Sequence, residues 1–265
     1  RLIYSLLDLA SLGTVADLGP LLNENRIIVK YGLEALQRTN WQGLKFLMES
    51  AGLEPSSKMD ISTIGFKIGP RINAAGRIDH PYYALQLLLH DEEGSEGLQK
   101  GKALAAHLEK LNTERQKMVI DAMEEAEIRF LEKSASDKIF IAWDKNWHVG
   151  ILGLIAGKFV EKHAMPCIIL QEFEEHLVAS FRSTPAFNAV DALNYSKEYL
   201  DHYGGHAQAA GFSLKKENLE NFVRIINEYA YNVLSDASSE IELHLDAELH
   251  EQDITDNFMR MLEQM

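Results

Sequence analysis

From Leu98 to Lys133 the chain runs without a proline and with a single glycine, Gly101, while apolar residues recur at Leu104, Leu108, Leu111, Met118 and Ala122. That spacing predicts one helix of roughly 35 residues, about 50 Å long. Seven basic and seven acidic side chains along it cancel. A helix of this length outruns any one small core, so the pattern predicts a strut between two domains. A free coiled-coil arm is the other reading, and the apolar spacing is not the strict heptad it needs.

Upstream, helical spacing is visible over Ile27 to Leu36, Gly43 to Ser50 and Tyr83 to Leu89, with a turn-rich stretch at Gly65 to Arg71. The polar run Asp91 to Glu96 reads as a boundary or hinge. After Ser134 the period changes. Lys138 to Trp143 reads as a buried strand, Ile151 to His163 as a helix, and Pro166 to Leu170 and His176 to Phe181 as strands. A helix over Ala189 to Leu200, a glycine-rich turn, a strand at Gly211 to Leu214 and a helix from Glu217 to about Leu234 follow. Strands alternating with helices imply an α/β domain. Ile241 to Leu249 alternates as a half-buried strand should, and an apolar helical pattern runs on to Met265. Both ends of the chain look like cuts, because each falls inside an amphipathic pattern. The boundaries expected are 1–95, 96–135 for the long helix, 136–236 and 237–265.

A hydrophobic content of 46% over 265 residues is enough for real cores, which excludes a disordered or fibrous chain. No apolar run approaches a membrane span, and the first residues lack a signal-peptide layout. The only cysteine, Cys167, sits in an apolar run, which fits a buried thiol in a reducing, cytoplasmic compartment and allows no disulfide within the chain. A formal charge of −14, if evenly spread, argues against a protein that coats polyanions. It is not evenly spread. Residues 236–265 hold nine acidic side chains and one basic, a net −8, so the other residues carry −6.

Four stretches could carry chemistry. In Tyr203 to Ser213, the glycines Gly204 and Gly205 let backbone approach a ligand and His206 can donate to an anion, which suits a phosphate cradle; a tight turn with a packed histidine is the alternative. Ser180 and Arg182 share one face of an alternating strand, as a phosphate or carboxylate site would need, although a strand-end arginine can equally be solvated. In Gly69 to Arg77, Arg71 and Arg77 flank a run of small residues that permits either close approach of a ligand or close helix packing. Asp17 follows an apolar run and reads either as a metal ligand or as a cap. Trp147 to Gly150, before the helix at Ile151, presents N–H groups to an anion or is a plain helix entry.

Taken in order, Leu12 to Asp17, Glu24-Asn25-Arg26, Gly69 to Arg77, Leu111 to Gln116, Ser180 to Arg182 and Gly204 to Phe212 resemble the RecJ family of the DHH phosphoesterase superfamily. The resemblance runs from about Leu7 to Leu262. It implies an α/β fold made of the helical end of a DHH domain, a long connecting helix and a smaller DHH-associated domain with a mixed sheet, followed by the lead-in to an oligonucleotide-binding domain.

The implied activity is two-metal hydrolysis of single-stranded DNA from its 5′ end, in repair and recombination, with manganese or magnesium and in company with a helicase and a single-strand-binding protein. Asp17 would be one metal ligand, and the family's other metal motifs would precede Arg1, so this piece alone should be nearly inactive. Ser180 and Arg182 would grip the 5′ phosphate, Arg71 or Arg77 would place the strand, and His206 with Gly204 and Gly205 would contact the scissile phosphate. A related oligoribonuclease or nucleotide-bisphosphate phosphatase, or a scaffold that has lost its metals, are the competing readings.

Overall fold

The computed structural model describes residues 4–54, 57–134, 136–235 and 245–264, and divides into two compact units, Arg1–Ser235 and Asp236–Met265. The larger unit opens with helices α1 (Leu7–Ala16), α2 (Asn23–Leu36) and α3 (Gln42–Ser50). A π-helical segment, Thr63–Ile68, then runs straight into α4 (Gly69–Ile78). The stretch expected to be turn-rich is therefore helical. Pro70 sits in the first turn of α4, where its missing N–H has no partner to lose, and Gly69 has ordinary helical angles.

Helix α5 (Tyr82–Leu88) leads to the long helix α6 (Gly94–Leu131), 38 residues and about 57 Å long. It starts inside the polar run, so Leu89 to Glu93 alone separate it from α5. Its two halves are buried in different cores. Ala105, Leu108 and Leu111 join a core with Leu36, Leu44, Leu47, Ile64 and Ile68, whereas Val119, Ala122 and Ala126 join one with Phe140, Ile151 and Phe159. A free coiled-coil arm would bury neither set.

The second half of the unit is a five-stranded mixed sheet. Strands β1 (Phe140–Asp144) and β2 (Cys167–Glu172) are parallel and joined through α7 (Leu152–His163). Strands β3 (His176–Arg182), β4 (His202–His206) and β5 (Ala209–Lys215) complete it in the order β1-β2-β3-β5-β4, with the remaining pairs antiparallel. The expected glycine-rich turn is thus the edge strand β4, and only Ala207 and Gln208 turn.

Helices α8 (Ala189–Tyr195), shorter than the spacing suggested, and α9 (Leu219–Leu234) cover one face, on a core of Ile168, Leu170, Phe181, Phe212 and Phe222. Helix α7 covers the other face over β2 and β3. Cys167 is fully buried, and burial pushes its thiol pKa well up. The end of α6 is fastened to β1 by Arg129, which bonds Asp144 Oδ2 at 2.5 Å and the Trp143 carbonyl and lies 4.7 Å from the centre of the Trp147 ring. Trp147 in turn donates to Glu125 Oε2 at 2.9 Å.

In the smaller unit, a 3₁₀ turn at Glu251–Asp253 precedes α10 (Asp256–Gln264). Of the strand expected over Ile241 to Leu249, residues 241–244 lie outside the described residues and 245–249 form no strand. No helix among the described residues is long and apolar enough to cross a membrane.

Two glycines test the packing in opposite directions. A Cβ at Gly101 would stand 2.3 Å from the buried Phe46 ring, so Gly101→Leu should lower stability by about 1–3 kcal/mol. A Cβ at Gly157, within α7, meets nothing within 4 Å. There Gly→Ala should add about 0.5–1 kcal/mol from helix propensity alone. Thermal melts of the two variants should therefore move in opposite directions.

Candidate functional site

The site begins with one close approach. A Cβ on Gly150, in the 3₁₀ turn Val149–Ile151 before α7, would fall 1.8 Å from the Arg77 carbonyl oxygen at the end of α4. Only glycine lets these backbones meet there, and Arg77 Nη1 closes the joint by donating to the Gly150 carbonyl at 3.1 Å. His148 Nδ1 accepts from Gly150 N at 3.1 Å and holds the turn. The Trp147 to Gly150 stretch is thus a helix entry that also seats an arginine from the helical half of the unit.

Around that joint three arginines converge. Arg182, at the end of β3, donates from Nη1 to Ser180 Oγ at 3.1 Å and to the Phe181 carbonyl at 2.9 Å, so Ser180 and Arg182 do share a face. Gly153 in the first turn of α7 leaves room for this guanidinium, since a Cβ there would lie 2.9 Å from Nη2 and 3.1 Å from Ser180 Oγ. The third arginine is Arg115, in mid-α6. It donates to Asn112 Oδ1 at 2.9 Å, and its Nε is buried with no hydrogen-bond partner.

All three are half-buried. Burial lowers the guanidinium pKa of each, and for Arg115 and Arg182 the positive charge of Arg77 lowers it further. Among the described residues none of the three forms an ion pair. Three like charges held together, partly desolvated and without a carboxylate among the described residues, are stabilised when an anion joins them. A phosphate group, with several acceptor oxygens and more than one negative charge, is suited to that role.

The other residues singled out from the sequence lie in different surroundings. Arg71 is already spent on an ion pair with Glu109 and a bond to the Lys67 carbonyl, which leaves it the weaker anion ligand of the two arginines in its run. Asp17 is the exposed C-cap residue of α1, and it lines a cleft of about 730 Å³ together with Asn73 and Arg77. One carboxylate does not make a metal site. Among the described residues no group of three or more His, Cys, Asp or Glu side chains could hold a metal ion, so no chemical step can be built on a metal from these residues alone.

His206 is exposed on the edge strand. Register aligns Arg182, Ala209 and His206 in one row across β3, β5 and β4, with side chains on the same face, two strand spacings or about 10 Å from end to end. Gly205 has φ +148°, and a Cβ there would come 2.4 Å from the Ala209 carbonyl oxygen, so its role is to let β4 pair with β5. Gly204 has open space around it and faces outward opposite Gly211, which keeps the floor beside His206 low.

Arg115 is not among the residues that the sequence singles out. It lies in a helix whose charges cancel, and nothing in its spacing sets it apart; only the tertiary packing puts it beside Arg77. The one available signal is its place in the Leu111 to Gln116 stretch.

Residues 136–232 match the model of the DHHA1 domain. The chain is 41% identical over 234 residues to the single-stranded-DNA-specific exonuclease RecJ of Bacillus subtilis, covering 87% of this chain and 29% of that protein. It is 31% identical to RecJ of Escherichia coli over 98% of this chain and 46% of that one. The chain thus spans less than half the length of these relatives. Among solved structures, RecJ of Thermus thermophilus in complex with Mg2+ superposes with a TM-score of 0.76 at 30% identity, over 86% of this chain and 35% of that one. An exonuclease RecJ bound to manganese gives 0.74 at 29%, over 89% and 58%.

The arginine trio makes a stability prediction. Inorganic phosphate at ten times its Kd should stabilise the chain by about 1.4 kcal/mol, or roughly 3–5 °C in Tm, relative to chloride at equal ionic strength. Arg115→Met and Arg182→Met should each lose that increment while melting no lower than the parent in chloride, because each removes an uncompensated charge.

Proposed function

Because this chain is homologous to the RecJ single-stranded-DNA-specific exonucleases of the DHH superfamily, we propose that it forms the end-recognising part of a metal-dependent nuclease that shortens single-stranded DNA from the 5′ end. The observation that carries the reading is the trio Arg77, Arg115 and Arg182, three half-buried guanidinium groups with no acidic partner among the described residues. A 5′-terminal phosphate carries more charge than an internal phosphodiester, so a site of three cations prefers an end to the middle of a strand.

In this reading Arg182 and Ser180 hold the terminal phosphate from the sheet side while Arg77 and Arg115 hold it from the helical side. Arg71, tied to Glu109, steadies α4 against α6. His206, about 10 Å along the same row, donates a hydrogen bond to the next phosphate, the one to be cut, and Gly204 and Gly205 let the strand lie close to the sheet. Asp17 is one ligand of the divalent ions, manganese or magnesium, which when bound activate water and neutralise charge on the phosphate oxygens. The placement of Asp17 and Arg77 in one cleft supports that assignment. The proposal extends to a cytoplasmic role in DNA repair and recombination, alongside a helicase and a single-strand-binding protein.

The test is end discrimination in binding, which needs no turnover. The ratio of affinities for 5′-phosphorylated and 5′-hydroxyl oligodeoxynucleotides should fall at least tenfold, about 1.4 kcal/mol, in Arg182→Ala and in Arg115→Ala. An unchanged ratio in both variants contradicts the reading.

A further inference from the structure

Along α6 the buried positions are glycine, alanine, leucine and valine with one exception, Asn112, which is 2% exposed. An amide buried there is unfavourable unless it is hydrogen-bonded, and a leucine of similar size would carry no such penalty. Other buried polar side chains serve local structure. Ser11, Ser183 and Ser196 donate to backbone carbonyls, and Asp8 accepts from Thr39. Asn112 differs, because among the described residues the one bond of its side chain is to a cation: its Oδ1 accepts from Arg115 Nη2 at 2.9 Å.

The dependence runs both ways. Three residues apart on a helix, the two side chains are neighbours on its surface, so the amide can fix the line along which the guanidinium lies. Among the described residues this is also the one hydrogen bond that Arg115 makes, since its Nε is buried and bonds nothing. A half-buried cation aimed at Arg77 and Arg182 is therefore held by a single contact, and that contact is neutral.

The neutrality has a chemical consequence. Carboxylates close to Arg115 along α6 are engaged elsewhere, Glu109 with Arg71 and Glu114 with Lys110. An aspartate at position 112 would have nearly the shape of asparagine and would bond the guanidinium more strongly. It would also cancel the charge, and an anion would then find a neutral pair. An amide orients the guanidinium without neutralising it.

We infer that Asn112 is a positioning residue of the end-recognising site, which holds Arg115 in place for a terminal phosphate while leaving its charge unspent. The inference rests on the terminal-phosphate reading of the arginine trio and deepens it, by naming what fixes the arginine that α6 contributes. A guanidinium already oriented loses less freedom when the phosphate joins it, so the amide acts on affinity through Arg115.

Affinities for oligo(dT) carrying a 5′-phosphate or a 5′-hydroxyl, measured by fluorescence anisotropy on the 265-residue chain in EDTA, give the end preference without turnover. Asn112→Leu keeps the volume and removes the acceptor, and the preference should fall about fivefold or more while 5′-hydroxyl affinity stays within about twofold of the parent. Asn112→Asp keeps the acceptor and adds the charge. Its preference should fall further than that of Asn112→Leu, although the chain melts no lower than the parent in chloride. In an Arg115→Met background neither substitution should lower the preference again. Unchanged preference in both Asn112 variants, with Arg115→Met losing it, overturns the inference and leaves the terminal-phosphate reading standing. A loss that persists in full in the Arg115→Met background also overturns it, because Asn112 would then act otherwise than through Arg115. If Arg115→Met itself keeps the parent's preference, the terminal-phosphate reading falls and takes the inference with it.

Discussion

The arrangement turns on the contact between the Arg77 carbonyl and Gly150, where a side chain as small as a methyl would not fit. Through this contact the end of α4 meets the turn that starts α7, and the helical core meets the sheet. Ile78, the next residue, packs against both the helical core and the core under α7. The long helix cannot make this joint by itself. It is buried at both ends in different cores, and Arg129 with Trp147 fixes its far end to β1, but a rod with two anchors still leaves the two halves to be closed on each other. The Arg77–Gly150 contact does so, and it carries an arginine with it.

The cost of that closure is electrostatic. Arg77 is brought close to Arg115 and Arg182, each partly desolvated, and no acidic side chain among the described residues compensates them. The other half-buried arginines among the described residues are matched: Arg71 has Glu109 and Arg129 has Asp144. The exception is therefore local, and a folded state that keeps it has a use for an anion at that point. The net charge of −14 does not oppose this, since it is the acidic residues outside β3, β4 and β5 that produce it.

Much of the fold was legible from residue spacing. The missing prolines and the apolar period of 98–133 marked the long helix, and the alternation of His176 to Phe181 marked β3 with the common face of Ser180 and Arg182. Glycine misled twice. Gly65 to Arg71 and the Gly204–Gly205 pair both read as turns, because glycine frees the backbone, yet the first lies within continuous helix and the second pairs along an edge strand. The site was legible only in part. Arg77, Ser180 and Arg182 stood out from their local context, whereas Arg115 is distinguished by its position opposite Arg77, which spacing along one helix does not encode. Asp17 read as either a cap or a ligand; the structure makes it a helix C-cap that lines the same cleft as Arg77.

If the helical half and the sheet half grip one phosphate together, the energies of their arginines must be coupled. A double-mutant cycle with Arg77→Met and Arg182→Met, read as binding of a 5′-phosphorylated trinucleotide, measures this. A shared site predicts that the second substitution costs clearly less than the first, with a coupling energy above about 0.5 kcal/mol. Losses that simply add would place the two arginines on separate ligands and contradict a single site built across the Gly150 joint.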